Sequence, residues 1–145
     1  MNKISKRYYY NLKILKFLAE FLGKNPYLRF CQLMDIFNRN KSYYFEEPED
    51  TLKRYKERST PCECIRSEIE ISKRYCYNIR ILKLLAEFLK ENQYLRFCQL
   101  IDIMDALKEG KKEDYYFEES ENTLRRYEKE LLYLKNNQKT LIKTI

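Results

Sequence analysis

The chain has 145 residues, a formal net charge of +7 at pH 7 and no His. Without His it lacks the general base of a Ser-His-Asp triad and the imidazole ligands common in zinc sites. Few Gly and Pro among abundant Leu, Ile, Lys, Glu and Tyr favour helices over sheets. Because neither a signal-peptide pattern nor an apolar run of about 18 residues is present, we expect a cytoplasmic protein that does not enter a membrane.

Three helices are predicted in the first part of the chain. Apolar side chains, Leu12 among them, recur at helical spacing in the first helix, and Gly23 and Pro26 favour a stop after it. Pro48 suits the first position of the third helix. The predicted helices cover residues 4–22, about 27–38, and 48 to about 58.

A long helix is predicted to follow. The segment Thr60–Glu63 has the pattern of a capping box with Pro in the first turn. Beyond it, apolar or small side chains recur every three or four residues, so we expect one helix over Pro61–Glu91. The remaining predicted elements are helices over about 94–108 and 120–135, and a tail at 140–145 that forms a last turn or docks as an extended end.

The sequence contains a long internal repeat. The segment YLRFCQL occurs twice without a change. With an offset of 67 residues, 25 of 35 aligned positions are identical, and with an offset of 72 residues, 10 of 13 are identical. The aligned segments are Ile4–Asn38 with Ile71–Asp105, and Tyr43–Tyr55 with Tyr115–Tyr127.

We interpret this repeat as a tandem duplication of a three-helix unit. A unit of about sixty residues buries only about 60% of its surface and is marginal alone. The expected fold is therefore all-α, with two units packed as a pseudo-symmetric pair and joined by the long helix. The predicted boundaries are 1–58 for the first repeat, 59–70 for a helical connector, 71–135 for the second repeat and 136–145 for the C-terminal tail.

The five Cys residues indicate neither a disulfide framework nor a metal site. Cys31 and Cys98 occupy the same place in the two repeats, and Cys62 and Cys64 have a spacing that does not suit a zinc knuckle. We therefore expect reduced thiols, no metal and no cofactor.

No set of residues has the pattern of a catalytic site. The chain contains no Gly-rich phosphate loop and no His that could act as a base for Cys. The paired carboxylates Glu46–Glu47 and Glu118–Glu119 precede predicted helices, where negative charge complements the helix dipole. A structural role is favoured for them, and the chain is predicted not to be an enzyme.

Arg29 and Gln32 in the first repeat recur as Arg96 and Gln99 in the second. Their spacing of three places them near one face of the predicted second helix of each unit. Two roles remain open for them. If they are half-buried, they tie this helix to the paired carboxylates or to helix-end carbonyls. If they are exposed, they form a polar row that binds a partner or a ligand.

A block of three aromatic residues also recurs. One ring is expected to hold the following helix against the core. The others are candidate anchors for a partner because Tyr is enriched at binding hot spots, and a surface that stacks nucleotides is also open. The candidate anchors are Tyr43, Tyr44, Tyr115 and Tyr116.

The positive charge is distributed unevenly. Residues 1–58 carry 13 basic and 7 acidic side chains, a balance of +6, whereas residues 71–130 carry 12 of each. An alternative function is therefore a nucleic-acid-binding regulator that uses the basic first repeat. Lys6, Lys13 and Lys16 are its candidate phosphate contacts.

The segment Asn25–Leu33, followed by Tyr44–Glu47, resembles short bacterial and phage proteins with a motif of the form NPxLRFGQL…FYxED. Cys31 and Cys98 stand where that motif has Gly, and Gln93 replaces the Pro in the second repeat. The resemblance implies a small helical unit, often encoded on mobile elements, without an assigned reaction.

Together these features favour a non-enzymatic binding protein encoded by a phage or mobile element. We expect it to act in the bacterial host cell by binding a host protein or a small anionic ligand, as an inhibitor or adaptor. The repeated Arg, Gln and Tyr residues are its candidate contacts, and self-association as a homo-oligomer is open.

Overall fold

The described part of the chain folds into six α-helices and contains no strand. The computed structural model describes residues 2–38, 43–58, 68–106 and 118–144. We call residues 2–58 the first half and residues 68–144 the second half. The all-α prediction is confirmed. The helices are α1 (Lys3–Lys24), α2 (Phe30–Asn38), α3 (Pro48–Glu57), α4 (Glu68–Glu91), α5 (Phe97–Ala106) and α6 (Ser120–Thr144).

Buried Asn side chains end α1 and α4. Asn25 Nδ2 donates to the carbonyl of Phe21 at 3.0 Å, and Asn92 Nδ2 donates to the carbonyl of Phe88 at 2.9 Å. These bonds satisfy carbonyls that the end of a helix leaves without an intrahelical partner. α1 therefore continues through Gly23, where the sequence predicted a stop, and ends at the Asn cap.

The short helices α2 and α5 begin three residues later than predicted. The residues before them form turns, closed by the N–H of Leu28 on the carbonyl of Asn25 at 3.2 Å and by the N–H of Leu95 on the carbonyl of Asn92 at 3.1 Å. The carbonyls in these turns accept hydrogen bonds from side chains of the other half, so the turns are held outside the helices.

Of the remaining helices, α3 agrees with its predicted range and α6 is longer than predicted. α3 begins at Pro48 as predicted. α6 continues to Thr144, past the end predicted near Lys135, because neither Gly nor Pro interrupts it. The predicted connector helix is observed from Glu68 onward, whereas its capping box at 60–63 lies outside the described residues.

α1 and α4 pack on each other and run antiparallel. Near the start of α1, Arg7 Nη1 donates to the carbonyl of Tyr94, which follows α4. Near the start of α4, Arg74 Nη1 donates to the carbonyl of Tyr27, which follows α1. α3 lies along α1 and α6 along α4, whereas α2 packs on α6 and α5 packs on α3. Each short helix therefore contacts the opposite half.

One hydrophobic core extends through both halves. The fully buried ring of Tyr55 stacks on Phe37 of its own half with centroids 4.7 Å apart, and it meets Phe97 of the other half edge-on at 6.2 Å. Phe30 meets Tyr127 of the other half in the same way at 5.8 Å. Separating the halves would expose these aromatic rings to water.

Candidate functional site

The repeated YLRFCQL segments contact the opposite half of the molecule. Arg29 Nε donates to Glu119 Oε1 at 3.0 Å, and Arg96 Nε donates to Glu47 Oε1 at 3.0 Å. The two Arg side chains are only 13% and 18% exposed. These contacts fit the structural role that the sequence left open for the polar row.

Each of these carboxylates also holds an Arg of its own half in a bidentate pair. Arg7 donates to both oxygens of Glu47 at 2.9 and 3.0 Å, and Arg74 donates to both oxygens of Glu119 at 2.8 and 2.9 Å. The hydrogen bond from Arg7 lowers the pKa of Glu47 most and the bond from Arg96 lowers it further, so that the pKa is about 2. Hydrogen bonds from Arg74, which has the larger effect, and from Arg29 lower the pKa of Glu119. Both carboxylates are therefore ionised at neutral pH.

This geometry predicts a stability loss in acid. Because the folded-state pKa of Glu47 is depressed, its contribution to stability is complete above its ordinary pKa of 4.5 and is lost as the pH falls toward about 2. Since the side chain is 36% exposed, we expect a loss of only about 1 kcal/mol. Urea unfolding of the wild type and of Glu47→Gln, followed from pH 7 to pH 2.5, should give a shallower pH dependence for the variant. Identical pH dependences would contradict the assignment.

Two pairs of aligned side chains bind main-chain carbonyls across the halves. Asn11 Nδ2 donates to the carbonyl of Leu95 at 2.8 Å, and Asn78 Nδ2 donates to the carbonyl of Leu28 at 2.7 Å. Both Asn residues are 0% exposed, and each has a buried Oδ1 atom without a hydrogen-bond partner in the described part of the chain. Arg7 and Arg74 bind the adjacent carbonyls. The turns before α2 and α5 are thus anchored by the opposite half.

The second carboxylate of each pair joins a network of partly buried side chains. Arg54 Nη2 and Thr51 Oγ1 lie 2.9 and 2.6 Å from Glu46 Oε1, and Cys98 of the other half lies 3.7 Å from Thr51 Oγ1. Burial raises the pKa of Cys98 to about 11, so its thiol is protonated at neutral pH. The aligned network consists of Arg126, Thr123, Glu118 and Cys31.

Gln32 and Gln99 cap their own helices. Gln32 Oε1 accepts the N–H of Arg29 at 3.1 Å, and Gln99 Oε1 accepts the N–H of Arg96 at 2.9 Å. This is the contact that the third helical residue makes in a capping box. It satisfies one N–H at the start of each short helix and accounts structurally for the repeated Gln.

The aromatic block of the first half divides between a packed ring and two exposed rings. The guanidinium of Arg54 lies 3.5 Å from the ring centroid of Tyr43, which is half-buried. Tyr44 is 36% exposed and Phe45 is 80% exposed, and their rings meet edge-on with centroids 5.0 Å apart. The aligned candidates Tyr115 and Tyr116 lie outside the described residues.

The candidate phosphate contacts on α1 have different environments. Lys6 Nζ lies 3.1 Å from Glu49 Oε2. Lys13 is exposed and its Nζ lies 4.5 Å from the ring centroid of Tyr9, and Lys16 is exposed. A phosphate would therefore compete with a carboxylate for Lys6, while Lys13 and Lys16 face solvent.

Within the described ranges, no group of three or more His, Cys, Asp or Glu side chains could hold a metal ion. None of the helices in those ranges has both the length and the apolar character needed to cross a membrane.

No family model, curated protein or solved structure matches the chain. Its function is therefore inferred from the chemistry of the described side chains.

Several residues at the contact between the halves were not predicted from the sequence. Each of these residues is identical to the residue at the aligned position of the other repeat, and this identity was the feature of the sequence that could have identified them. Because they are polar, hydropathy alone gives no reason to place them at a contact between helices. They are Arg7 and Arg74, Asn11 and Asn78, Thr51 and Thr123, and Arg54 and Arg126.

Proposed function

We propose that the chain is a tandem duplication whose two units form a pseudo-symmetric pair. The crosswise ion pair between Arg29 and Glu119 has a counterpart at the aligned positions, between Arg96 and Glu47. The bonds from Asn11 and Asn78 to carbonyls of the opposite half form a second matched set. Duplication of a unit that associates with its own copy would produce such matched contacts.

We further propose that this pair is a non-enzymatic binding protein, encoded by a phage or mobile element, that acts in a bacterial cytoplasm by covering part of a host protein. The observation that carries this proposal is the exposed aromatic pair of Tyr44 and Phe45. An exposed pair of rings costs little side-chain entropy to bury and can fill a pocket on a partner.

A protein partner is favoured over a small anionic ligand because the cations at the contact are already paired. The half-buried guanidiniums of Arg29 and Arg96 bind Glu119 and Glu47. A surface groove of about 200 Å³ beside Glu47 contains Lys6 and Arg7, but each of these faces a carboxylate at about 3 Å. An anion would have to displace a carboxylate from a charge-assisted hydrogen bond to enter this groove.

The proposal predicts that removal of the two exposed rings abolishes partner binding without unfolding the protein. Tagged wild type should retain a host protein from a bacterial lysate, and the double variant Tyr44→Ala/Phe45→Ala should lose it. With the purified partner, we expect the affinity to fall by about 10- to 100-fold, as for hot-spot rings. The matched control is Leu132→Ala/Tyr133→Ala, which removes side chains that are 62% and 57% exposed on α6.

The outcomes separate the proposed functions. Both double variants should melt within a few degrees of the wild type because surface substitutions change the free energy of unfolding by only about 0.5 kcal/mol. Equal retention by both variants would reject the aromatic pair as the anchor. Loss of the captured protein on nuclease treatment would favour the nucleic-acid alternative and direct attention to Lys13 and Lys16.

A further inference from the structure

The contact between the halves is self-complementary, and we propose that a second copy of this chain can occupy it. In the resulting domain-swapped dimer, the first half of each chain binds the second half of the other. The two crosswise ion pairs seen within one chain, Arg29 with Glu119 and Arg96 with Glu47, would then each form twice, between the two chains. The proposal rests on the contacts between the halves and is independent of the aromatic pair proposed to bind a host protein.

The first step is that each half carries both sides of the contact. The first half supplies a guanidinium from Arg29 and a carboxylate from Glu47, and the second half supplies Arg96 and Glu119. Each half also supplies one thiol and one hydroxyl to the contact. Cys31 Sγ lies 3.6 Å from Thr123 Oγ1, and Cys98 Sγ lies 3.7 Å from Thr51 Oγ1. None of these contacts depends on a covalent link between the halves, so a half from another chain satisfies them equally.

The second step is that unlike halves should pair in preference to like halves. Charge supports this preference. Residues 1–58 carry +6 and residues 71–130 are balanced, so two first halves would repel each other, whereas a first half paired with a second half avoids this repulsion. The expected dimer therefore exchanges halves reciprocally.

The third step concerns concentration. Because the two halves belong to one chain, each has an effective concentration of roughly 1 mM toward the other. The closed monomer should therefore dominate in dilute solution, and the exchanged dimer should appear when chains refold near that concentration. Each unit is marginal alone, so the dimer should persist on dilution until both halves separate.

Disulfide trapping distinguishes the two forms. Thr123→Cys places a thiol beside Cys31, and Thr51→Cys places one beside Cys98, since the corresponding sulfur and oxygen atoms are 3.6 and 3.7 Å apart. Each variant is made with Cys62→Ser, Cys64→Ser and Cys76→Ser, so that Cys31, Cys98 and the introduced Cys are the only thiols in the chain. The bond is internal in the monomer, and it links two chains of 18.0 kDa each in the exchanged dimer.

The variants are denatured in reducing urea, refolded at about 1 µM or about 1 mM chain and then oxidised. We expect internal bonds at the lower concentration and at least a tenfold larger fraction of covalent dimer at the higher one on non-reducing gels. The same triple-Ser protein with native Thr51 and Thr123 should give no covalent dimer. Light scattering on refolded wild type should show a matching dimer.

Only internal bonds at both concentrations would overturn the proposal, as would the absence of any bond in both variants. If one variant fails to fold by circular dichroism, the other reports on the second contact independently. Dimer formation by the control without an introduced Cys would also count against exchange, because native thiols would then be linking intact monomers.

Discussion

Replacement of Arg54 by Ala is expected to lower the free energy of unfolding by about 3–5 kcal/mol. Arg54 and Glu46 are only 12% and 19% exposed, and Arg54 Nη2 lies 2.9 Å from Glu46 Oε1. The guanidinium also donates to the carbonyl of Phe37 and packs on the ring of Tyr43. Its removal leaves a poorly solvated carboxylate and removes a donor from a main-chain carbonyl, which is why the cost exceeds that of an ordinary surface ion pair.

Urea unfolding at pH 7 measures this effect, and Lys53→Ala is the matched control because it removes an exposed cation from the neighbouring position of α3. We expect the control to change the free energy of unfolding by no more than about 0.5 kcal/mol. Arg126→Ala, at the aligned position of α6, should behave as Arg54→Ala does because its guanidinium lies 3.0 Å from Glu118. A cost below about 1 kcal/mol for both Arg variants would show that the networks are solvated.

The order of the helices could be predicted because local signals marked it. Pro48 fits the first position of α3, and the apolar periodicity of α1 and α4 fits helices of more than twenty residues. The start of α2 was predicted less well because it depends on the opposite half. Asn78 binds the carbonyl of Leu28 and anchors the turn before this helix.

The crosswise pairing of the charges could not be predicted from one sequence. Arg29 has two candidate carboxylates, Glu47 and Glu119, which occupy aligned positions with nearly the same neighbours. Residue spacing provides no preference between them. The antiparallel packing of α1 on α4 determines which carboxylate Arg29 binds, because it places the start of α2 beside the start of α6.

Hydropathy also assigned the faces of α1 imperfectly. Leu12, which belongs to the apolar periodicity of α1, is 39% exposed, whereas Asn11 is fully buried. Asn11 lies three and four residues before Ile14 and Leu15, so it is centred on the buried face. From the sequence alone, a polar residue at this position is expected to face solvent. Asn11 is buried because its side chain binds the carbonyl of Leu95 in the other half.

The buried amides therefore provide a sharp test of the contact between the halves. Asn78→Asp is expected to cost about 3–5 kcal/mol at pH 7 because it exchanges a buried donor for an uncompensated charge. Asn78 is 0% exposed, and its Nδ2 lies 2.7 Å from the carbonyl oxygen of Leu28. An ionised carboxylate there would face that oxygen with no proton between them, and neither group could turn to water.

The same variant should recover stability in acid. Burial and the facing carbonyl raise the folded-state pKa of the introduced carboxyl above its unfolded value of about 3.9. Between those two pKa values the folded protein binds more protons than the unfolded chain, so stability rises as the pH falls. Once protonated, the carboxyl can donate to the carbonyl of Leu28 as the amide does. Urea unfolding should therefore show a smaller difference from wild type at pH 4 than at pH 7.

Asn122→Asp is the matched control, because Asn122 is exposed at the start of α6 and the aligned residue of α3 is Asp50. A new negative charge in the first turn of a helix is neutral or slightly favourable there. It should therefore leave stability unchanged within about 0.5 kcal/mol at pH 7. If Asn78→Asp behaved like this control, or lost stability on acidification faster than wild type, the amide would be in contact with water. The bond from Asn78 to Leu28 would then not hold the halves together.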